Sequence, residues 1–410
     1  MIFVIITQAA ALTKKANNRI ITTVRAVFYA NIAFILFLEA TFMNWKDRMP
    51  SNVRDVFFKE YASAREYRHV AVDCSLGTNP LGAPERVLAR LASIGNKFDI
   101  SSYPTGDELF RKVLSAAWYG AFQPEEVILG TGSIGLLITL ARTFCGPDAT
   151  VVGLTPQFPD GPLHFRLTGA TCKSIPLKGP DFAVSLEAVA SELSGKESLV
   201  YIDRPHNPTG QASSLVEIET IADSCARNGS LLVVDEAYGD FLPQEESAIH
   251  LPRENIITLR SFSKGWGLAG IRAGYAVIKN REAREFIAKV APPFSVNSIA
   301  MEVATAAMEE TSFLAMAREA VEGIKKSVLE LVNRTPRVSA SKTHPAVPIV
   351  LITHKDPSVD LYELLMSQGI RTESGACYDG LDSSNVRLRV PSPKELPLFM
   401  ELWEKALGNA

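Results

Sequence analysis

Cysteine and histidine are scarce in this sequence, and charge of neither sign is in excess. Its 410 residues include six histidines and five widely separated cysteines: Cys74, Cys145, Cys172, Cys225 and Cys377. Because the sequence has no CxxC pair, Cys/His cluster or HExxH motif, it gives no basis for a disulfide framework or a metal site. We therefore expect reduced thiols, a cytoplasmic location and no metal.

The charge balance argues against a nucleic-acid partner. The formal net charge is -3, and no basic tract interleaved with aromatic residues follows the chain. Hydrophobic residues make up 47% and charged residues 21%, as in soluble globular proteins. A length of 410 residues predicts one large and one smaller domain.

No apolar run reaches the ~20 residues that a membrane-spanning helix requires. A basic stretch, residues 14–25, precedes a shorter apolar run from Val27 to Leu38. This segment reads as a membrane anchor, as an N-terminal helix or arm packed on the body, or as an over-long start with Met43 as the true first residue. We expect no membrane partner, and the sequence leaves the three interpretations open.

Short apolar runs alternate with amphipathic stretches from about residue 125 onward. A helical stretch, Ser214 to Arg227, fits a crossover between strands, so a mainly parallel sheet covered on both faces is expected. Ligand chemistry then belongs at the carboxyl ends of the strands. The predicted strands are residues 127–129, 151–154, 199–202, 231–234 and 256–259.

The chain after about residue 292 reads as a second, α+β domain. It has long helical stretches and apolar runs at residues 349–352, 369–370 and 386–388. We predict an N-terminal extension of uncertain status at 1–42, an arm and part of the small domain at 43–90, a large domain at 91–291 and a small C-terminal domain at 292–410.

A glycine-rich segment with one lysine, residues 261–274, directly follows a predicted strand. It combines Lys264 and Arg272 with hydroxyl groups and four glycines, a composition suited to an anionic cofactor. Neighbouring cations or desolvation favour the free, nucleophilic amine of a lysine. Arg272 fits that electrostatic role and a bidentate grip on phosphate. The alternative is a solvated lysine in a flexible loop.

Two further motifs follow predicted strands. The first, Asp235 to Tyr238, reads DEAY. An ionised Asp235 at the strand end could keep the nitrogen of an aromatic ring protonated. The alternative is that Asp-Glu at a strand end is a helix cap. Asn207 to Gly210 reads NPTG, which by itself is an ordinary turn signal.

Residues 130–135 match GxGxxG between a strand and a helical stretch, which raises a nicotinamide-dinucleotide alternative. That fingerprint expects an acid about 20 residues on, whereas Asp160 comes later and lies in a proline-rich loop. In either interpretation, backbone N–H groups at a helix N-terminus favour an anion.

Taken together, these motifs resemble the pyridoxal-5′-phosphate (PLP)-dependent aminotransferases of the aspartate-aminotransferase fold, also called fold type I, and within them the histidinol-phosphate aminotransferase branch. The resemblance covers roughly residues 70 to 395. It implies an α/β PLP-dependent transferase fold, with a mainly parallel seven-stranded sheet between helices in the large, cofactor-binding domain and a smaller α+β domain.

The resemblance also implies a role for each residue around the cofactor ring. Lys264 would hold PLP as a Schiff base, and Asp235 would keep the pyridine nitrogen protonated. Tyr238 and Asn207 would bond the 3′-oxygen, and Phe158 would stack on the ring. The catalytic residues are then Lys264, Asp235 and Tyr238.

For the cofactor phosphate, the resemblance implies Ser261 and Arg272 together with the turn Gly132, Ser133 and Ile134. Tyr103, in a Tyr-Pro pair, would reach across a homodimer interface to the same phosphate.

Arg387 matches the family's arginine for the substrate α-carboxylate, and Asn79 matches its N-terminal substrate loop. Arg389 lies two positions on, but the likeness favours Arg387. Glu373 stands where histidinol-phosphate enzymes usually carry a phosphate-binding arginine, and Arg371 is a possible substitute for it. A carboxylate repels phosphate, so we hypothesise a different amino acid, one with a cationic side chain paired to Glu373.

The expected function is ping-pong transfer of an amino group between an amino acid and a 2-oxo acid, with Lys264 moving the proton. Three alternatives stay open: a PLP-dependent decarboxylase or lyase of the same fold, a non-catalytic protein on this scaffold, and a nicotinamide dehydrogenase.

Overall fold

The computed structural model describes residues 29, 45–57, 69–94, 99 and 101–408. Residues 1–55 and 56–410 form two compact units. The described part of the first contains the 3-10 turn Trp45–Arg48 and the helix Ser51–Arg54. The predicted extension, 1–42, lies outside the described residues apart from residue 29. Among the residues described, we find no helix with the length and apolar character that crossing a membrane demands.

The second unit alternates strands and helices along most of its length. Its strands are β1 Val72–Asp73, β2 Val127–Gly130, β3 Thr150–Thr155, β4 Thr171–Pro176, β5 Leu199–Asp203, β6 Leu231–Asp235, β7 Ile256–Ser261, β8 Gly274–Ile278, β9 Val338–Ala340, β10 Ile349–His354, β11 Ile370–Arg371, β12 Glu373–Ser374 and β13 Asn385–Arg389. Its α-helices are Glu85–Ile94, Asp107–Ala117, Gly132–Phe144, Asp160–Arg166, Leu186–Ser191, Leu215–Arg227, Arg281–Val290, Ser298–Met308, Phe313–Asn333, Leu361–Ser367 and Leu396–Leu407.

A seven-stranded sheet forms the centre of the second unit, in the order β2-β8-β7-β6-β5-β3-β4. The neighbours from β7 to β4 pair in parallel, whereas β8 runs antiparallel to both β2 and β7. The predicted mainly parallel α/β fold is confirmed. The predicted crossover helix is observed as Leu215–Arg227, and it begins at a capping box formed by Ser214 and Glu217.

Successive residues of the central strands enter two separate hydrophobic cores, one on each face of the sheet. In β5, Tyr201 packs with the helices Gly132–Phe144 and Arg281–Val290, whereas Ile202 packs with Leu215–Arg227. Burial on both faces explains why these strands read as continuous apolar runs instead of alternating patterns.

A second, four-stranded antiparallel sheet has the order β12-β13-β10-β9. Its core includes the long helix Phe313–Asn333, which carries the fully buried Lys325. The amino group of Lys325 lies within hydrogen-bonding distance of Thr343 Oγ1 and of the carbonyls of His344, Val347 and Ile349. The helix is thereby tied to the loop that precedes β10.

Candidate active site

A cavity of about 320 Å³ opens where the parallel strands of the seven-stranded sheet end. The last residues of β5, β6 and β7 are Asp203, Asp235 and Ser261, and all three line it. Parallel strands bring their carboxyl ends to one edge, as expected from the sequence. The lining residues are Leu76, Gly77, Ser133, Ile134, Phe158, Asp160, Asp203, Asn207, Asp235, Ala237, Tyr238, Ser261, Ser263, Lys264, Ala269, Arg272 and Arg387.

Lys264 lies in the connection between β7 and β8, with its Nζ 5.4 Å from the centre of the Tyr238 ring. Burial lowers the pKa of its amine to about 8, and the cations Arg387 and Arg272 act in the same direction, against Asp235 and Glu373. Near neutral pH the unprotonated, nucleophilic amine is therefore far more abundant than in an ordinary exposed lysine.

Asp235 lies at the end of β6, and 3% of it is exposed. Its Oδ1 accepts from the Ala237 backbone N–H at 3.0 Å, and its Oδ2 from the Tyr201 hydroxyl at 3.4 Å. Burial and the neighbouring Asp203 raise the pKa of Asp235 to about 7. The Asp203 carboxylate accepts from Gln157 Nε2 at 3.0 Å and from the Asn207 backbone N–H at 2.8 Å.

A cradle of donors surrounds the first turn of the helix Gly132–Phe144. Gly132 has φ +74°, and a Cβ there would lie 3.0 Å from Arg272 Nη2, so glycine lets the guanidinium approach the helix N-terminus. Arg272 Nη1 donates to Ser263 Oγ at 3.3 Å. Ser133 lines the same cavity. Hydroxyls, a guanidinium and a helix N-terminus together favour an anion such as phosphate.

The GxGxxG match falls at this turn, but its strand context differs from a dinucleotide fingerprint. That fingerprint belongs to the first βα unit of a parallel sheet. Here the preceding strand, β2, pairs only with the antiparallel β8 among the described residues. The turn therefore fits an anion cradle better than a nicotinamide site.

Tyr238 and Phe158 bring aromatic rings to the cavity. The Tyr238 hydroxyl lies so close to Gly77 that a Cβ at position 77 would overlap it and lie 2.8 Å from its Cζ. The absence of a side chain at Gly77 therefore leaves room for the Tyr238 hydroxyl in the cavity.

Arg387 brings a guanidinium from the four-stranded sheet to this cavity, and 1% of it is exposed. Its Nη1 donates to Asn207 Oδ1 at 3.4 Å, its Nη2 donates to the Ser75 carbonyl, and the same Nη2 lies 3.8 Å from Glu373 Oε2. Asn207 Oδ1 also accepts from the Tyr378 hydroxyl at 3.2 Å. This buried guanidinium is suited to a carboxylate.

Ten of the fourteen predicted site residues line the cavity, and Gly132, Glu373, Asn79 and Tyr103 do not. Gly132 and Glu373 adjoin the lining residues Arg272 and Arg387. Asn79 is tied to the lysine loop, since its Nδ2 donates to the Gly265 carbonyl at 2.7 Å. Tyr103 is 74% exposed and stacks on Phe294 at 4.8 Å.

The arginines considered beside Arg387 and Glu373 have other partners. Arg371 Nη1 lies 3.4 Å from Asp73 Oδ2, and Arg389 donates to the carbonyls of Asp73 and Val390. Arg371 therefore pairs with Asp73, and it does not stand in for the arginine that Glu373 replaces.

Sequence reasoning assigned no role to Asp203, Asp160 or Ser263, although all three line the cavity. For Asp203 a signal was present, because it ends a strand as Asp235 does. Ser263 lies within the lysine motif, two residues after the end of β7, whereas Asp160 begins a helix after a loop and carries no such signal.

The residues present fit PLP in chemistry and arrangement. The donors around Gly132 and Arg272 suit its phosphate, and the buried Asp235 suits its pyridine nitrogen. Lys264, between them, suits its aldehyde.

Comparisons with known proteins agree with this chemistry. A family model described as Aminotransferase class I and II matches residues 72–401. The curated histidinol-phosphate aminotransferase 2 of Haemophilus influenzae is 30% identical over 340 residues, which cover 81% of this chain and 88% of the relative.

Solved structures share the fold. Histidinol-phosphate aminotransferase from Sinorhizobium meliloti in complex with pyridoxal-5′-phosphate matches with a TM-score of 0.76 at 20% identity, over 88% of this chain and 97% of that one. Aspartate aminotransferase from Thermus thermophilus with maleate matches with a TM-score of 0.72 at 22% identity, over 83% and 92%. At these identities the likeness establishes the fold.

Proposed function

Because the chain belongs to the class I and II aminotransferase family, we propose that the cavity at the strand ends is its active site and that Lys264 is the residue to which its cofactor attaches. The protein is a PLP-dependent aminotransferase, which moves an amino group between an amino acid and a 2-oxo acid. One observation supports the site best: the amine of Lys264, with its pKa lowered to about 8, lines the same cavity as the buried Asp235.

Bound PLP supplies an electron sink for the electron pair released when a bond at the substrate α-carbon breaks. Asp235 would hold the pyridine nitrogen protonated. Tyr238 and Asn207 would bond the 3′-oxygen, and Phe158 would pack on the ring. These four residues, with Lys264, would fix the ring relative to the catalytic amine.

On the phosphate side, Arg272 and the hydroxyls of Ser133 and Ser261 bind the oxygens, and the backbone N–H groups of Ser133 and Ile134 add the helix N-terminus. The absence of a side chain at Gly132 leaves room for the Arg272 guanidinium at the helix N-terminus. Ser263 joins the set through its 3.3 Å contact with Arg272.

Lys264 then acts as general base and acid. Once the substrate amine has replaced it, the freed amine of Lys264 would take the proton from the substrate α-carbon as a base and give it up again as an acid. Arg387 binds the α-carboxylate and so orients the α-carbon toward Lys264, while Asn79 holds the lysine loop through Gly265. Glu373 borders the substrate side of the cavity.

We further propose that the enzyme is a cytoplasmic homodimer. The exposed Tyr103–Phe294 pair supports an interface, with Tyr103 reaching the neighbouring phosphate site. The five cysteines are all free, as expected in a reducing compartment. The predicted domain boundaries stay a prediction.

Absorbance spectroscopy of the PLP-loaded protein tests the function. An absorbance band of the lysine-linked cofactor that borohydride removes, and that an amino donor converts to the amino form of the cofactor with release of a 2-oxo acid, supports it. Release of carbon dioxide without a 2-oxo acid, or full turnover by Lys264→Ala, contradicts it.

A further inference from the structure

Two carboxylates, Asp203 and Asp235, end neighbouring parallel strands, β5 and β6, in the same register. Adjacent strands lie about 4.8 Å apart, and paired residues point their side chains to the same face of the sheet. Both residues line the cavity, and they are 8% and 3% exposed. The sheet therefore brings two buried acids side by side to the place where we propose that the cofactor ring lies.

Asp203 is held in place by two N–H donors. Its Oδ1 accepts from Gln157 Nε2 at 3.0 Å, and its Oδ2 accepts from the backbone N–H of Asn207 at 2.8 Å. Both donors are neutral, so these hydrogen bonds fix the carboxylate without neutralising its charge. His206 also interacts with Asp203, but burial lowers the pKa of this histidine, which is therefore mostly uncharged at neutral pH.

The negative charge of Asp203 acts on Asp235. Burial and, after it, Asp203 raise the pKa of Asp235 to about 7, whereas the Ala237 N–H, the Tyr201 hydroxyl and the amine of Lys264 act in the opposite direction. The two acids thus interact inside a cavity in which water screens charge poorly. A positive charge placed beside Asp235 therefore interacts with Asp203 as well.

Anchoring the turn that carries Asn207 is a simpler use of Asp203. An amide or a hydroxyl side chain accepts a hydrogen bond from a backbone N–H equally well. A buried carboxylate costs more free energy than either of these, unless a positive charge compensates for it. The pyridine nitrogen, which Asp235 would hold protonated, supplies such a charge at this end of the cavity.

We propose that Asp203 assists Asp235 as a second fixed negative charge that keeps the ring nitrogen of bound PLP protonated. Asp235 would make the direct contact, and Asp203 adds electrostatic attraction from the neighbouring strand end. The protonated ring is the effective electron sink, so the second charge widens the pH range over which the sink operates. This inference rests on the proposed function, because it concerns the cofactor that Lys264 would hold.

Nuclear magnetic resonance of the ring nitrogen tests the inference without relying on turnover. PLP with an isotopically labelled ring nitrogen is fixed to Lys264 by borohydride reduction. The nitrogen chemical shift, which differs between protonated and neutral pyridine, is then followed against pH. Asp203→Asn removes the charge and keeps the shape of the side chain. We expect it to lower the pH at which the nitrogen loses its proton by about one unit.

A second pair of proteins isolates the charge of Asp203 from that of Asp235. In Asp235→Asn the direct partner of the ring nitrogen is uncharged, so proton loss moves to lower pH and Asp203 is the remaining carboxylate of the two. Adding Asp203→Asn should lower the pH of proton loss by about one unit more.

Gln157→Met is the matched control, because it removes the hydrogen bond from Nε2 and keeps the charge of Asp203. Its ring nitrogen should lose the proton within about 0.3 pH units of the wild type. Melting curves show which variants are folded, and Asp203→Ser, which also lacks the charge, replaces Asp203→Asn if the latter is unfolded.

The outcomes separate the inference from the proposed function. A shift below about 0.3 pH units on removal of the Asp203 charge, in both pairs of proteins, overturns the inference and leaves the aminotransferase function intact. A shift in Gln157→Met as large as that in Asp203→Asn also overturns it, because the position of the turn and not the charge would then be the cause. A wild-type protein in which borohydride attaches no PLP to Lys264 refutes the proposed function itself.

Discussion

Asp203 and Asp235 lie directly opposite each other at the carboxyl ends of the parallel strands β5 and β6. Both are buried and both line the cavity. Burial and, after it, repulsion by the neighbouring Asp203 carboxylate raise the pKa of Asp235 to about 7. Asp235, the acid proposed to hold the pyridine nitrogen protonated, is therefore partly protonated at neutral pH before any cofactor binds.

This raised pKa makes a prediction about the stability of the cofactor-free protein. Because the pKa of Asp235 is higher in the folded than in the unfolded protein, its protonation stabilises the fold fully below about pH 4. This stabilisation is lost as the pH rises through about 7. Asp235→Asn should therefore stabilise the cofactor-free protein more at pH 8 than at pH 5, by up to about 3 kcal/mol.

Denaturant unfolding at the two pH values measures this difference. Asp360→Asn, which removes an exposed helix-capping carboxylate, is the control and should change stability equally at both. An equal effect of Asp235→Asn at pH 5 and pH 8 would contradict the prediction.

The lowered pKa of Lys264 predicts how its reactivity depends on pH. In the cofactor-free protein, covalent capture of PLP at Lys264 should rise with an inflection near pH 8, because only the unprotonated amine reacts. Arg387→Gln removes a cation that lowers this pKa, so the inflection should move to higher pH. Borohydride trapping followed by peptide mass spectrometry measures the yield, and Lys264→Ala should lose the labelled peptide. An inflection above pH 10 in the wild type would show that the amine is not activated.

The contact between Gly77 and Tyr238 predicts a loss of cofactor affinity. In Gly77→Ala the new methyl group displaces the Tyr238 hydroxyl, so the dissociation constant for PLP should rise about 10-fold. Gly323→Ala is a matched control in the helix Phe313–Asn333, where a Cβ meets nothing within 4 Å. It should keep wild-type affinity and gain up to about 1 kcal/mol in stability. Equal PLP affinity in both variants, measured by equilibrium titration, would be evidence against the contact.

Lys325 predicts a stability effect remote from the cavity. Lys325→Met removes the buried amino group and its hydrogen bonds to Thr343 Oγ1 and to three backbone carbonyls, so the free energy of unfolding should fall by about 3 kcal/mol. Lys326→Met, the exposed neighbour, should change it by less than about 0.5 kcal/mol. Denaturant titration of both variants gives the comparison, and a similar stability for the two would refute the role of the buried amino group.

The fold could be predicted where burial leaves a simple pattern. Strands β3, β5, β6 and β7 are buried or nearly so, and each reads as an apolar run. Strand β4, TCKSIP, lies at the edge of the sheet with none of its residues fully buried, and its sequence lacks such a run. Strand β8, GYAVI, begins at Gly274, the last glycine of the lysine motif, and the glycine-rich sequence before it made its start hard to recognise.

The site could be predicted where a motif is contiguous in the chain. Lys264, Asp235 and Asn207 stand in local motifs at strand ends, and the cavity brings them together. The parts contributed by Asp160 and Gly77 depend on packing between distant segments, which no local pattern encodes. Glu373 stood out in the sequence, but its position opposite Arg387 required the strand register.

The positions of the cavity residues in the chain decide the order in which they are synthesised. Most of the residues that we propose hold the cofactor lie between Gly132 and Arg272, whereas Arg387, the proposed substrate arginine, comes from β13, near the end. Because proteins are synthesised from the N-terminus, these residues precede Arg387 by more than a hundred positions. During synthesis, the nascent chain therefore carries most of the proposed cofactor site well before it carries the proposed substrate arginine.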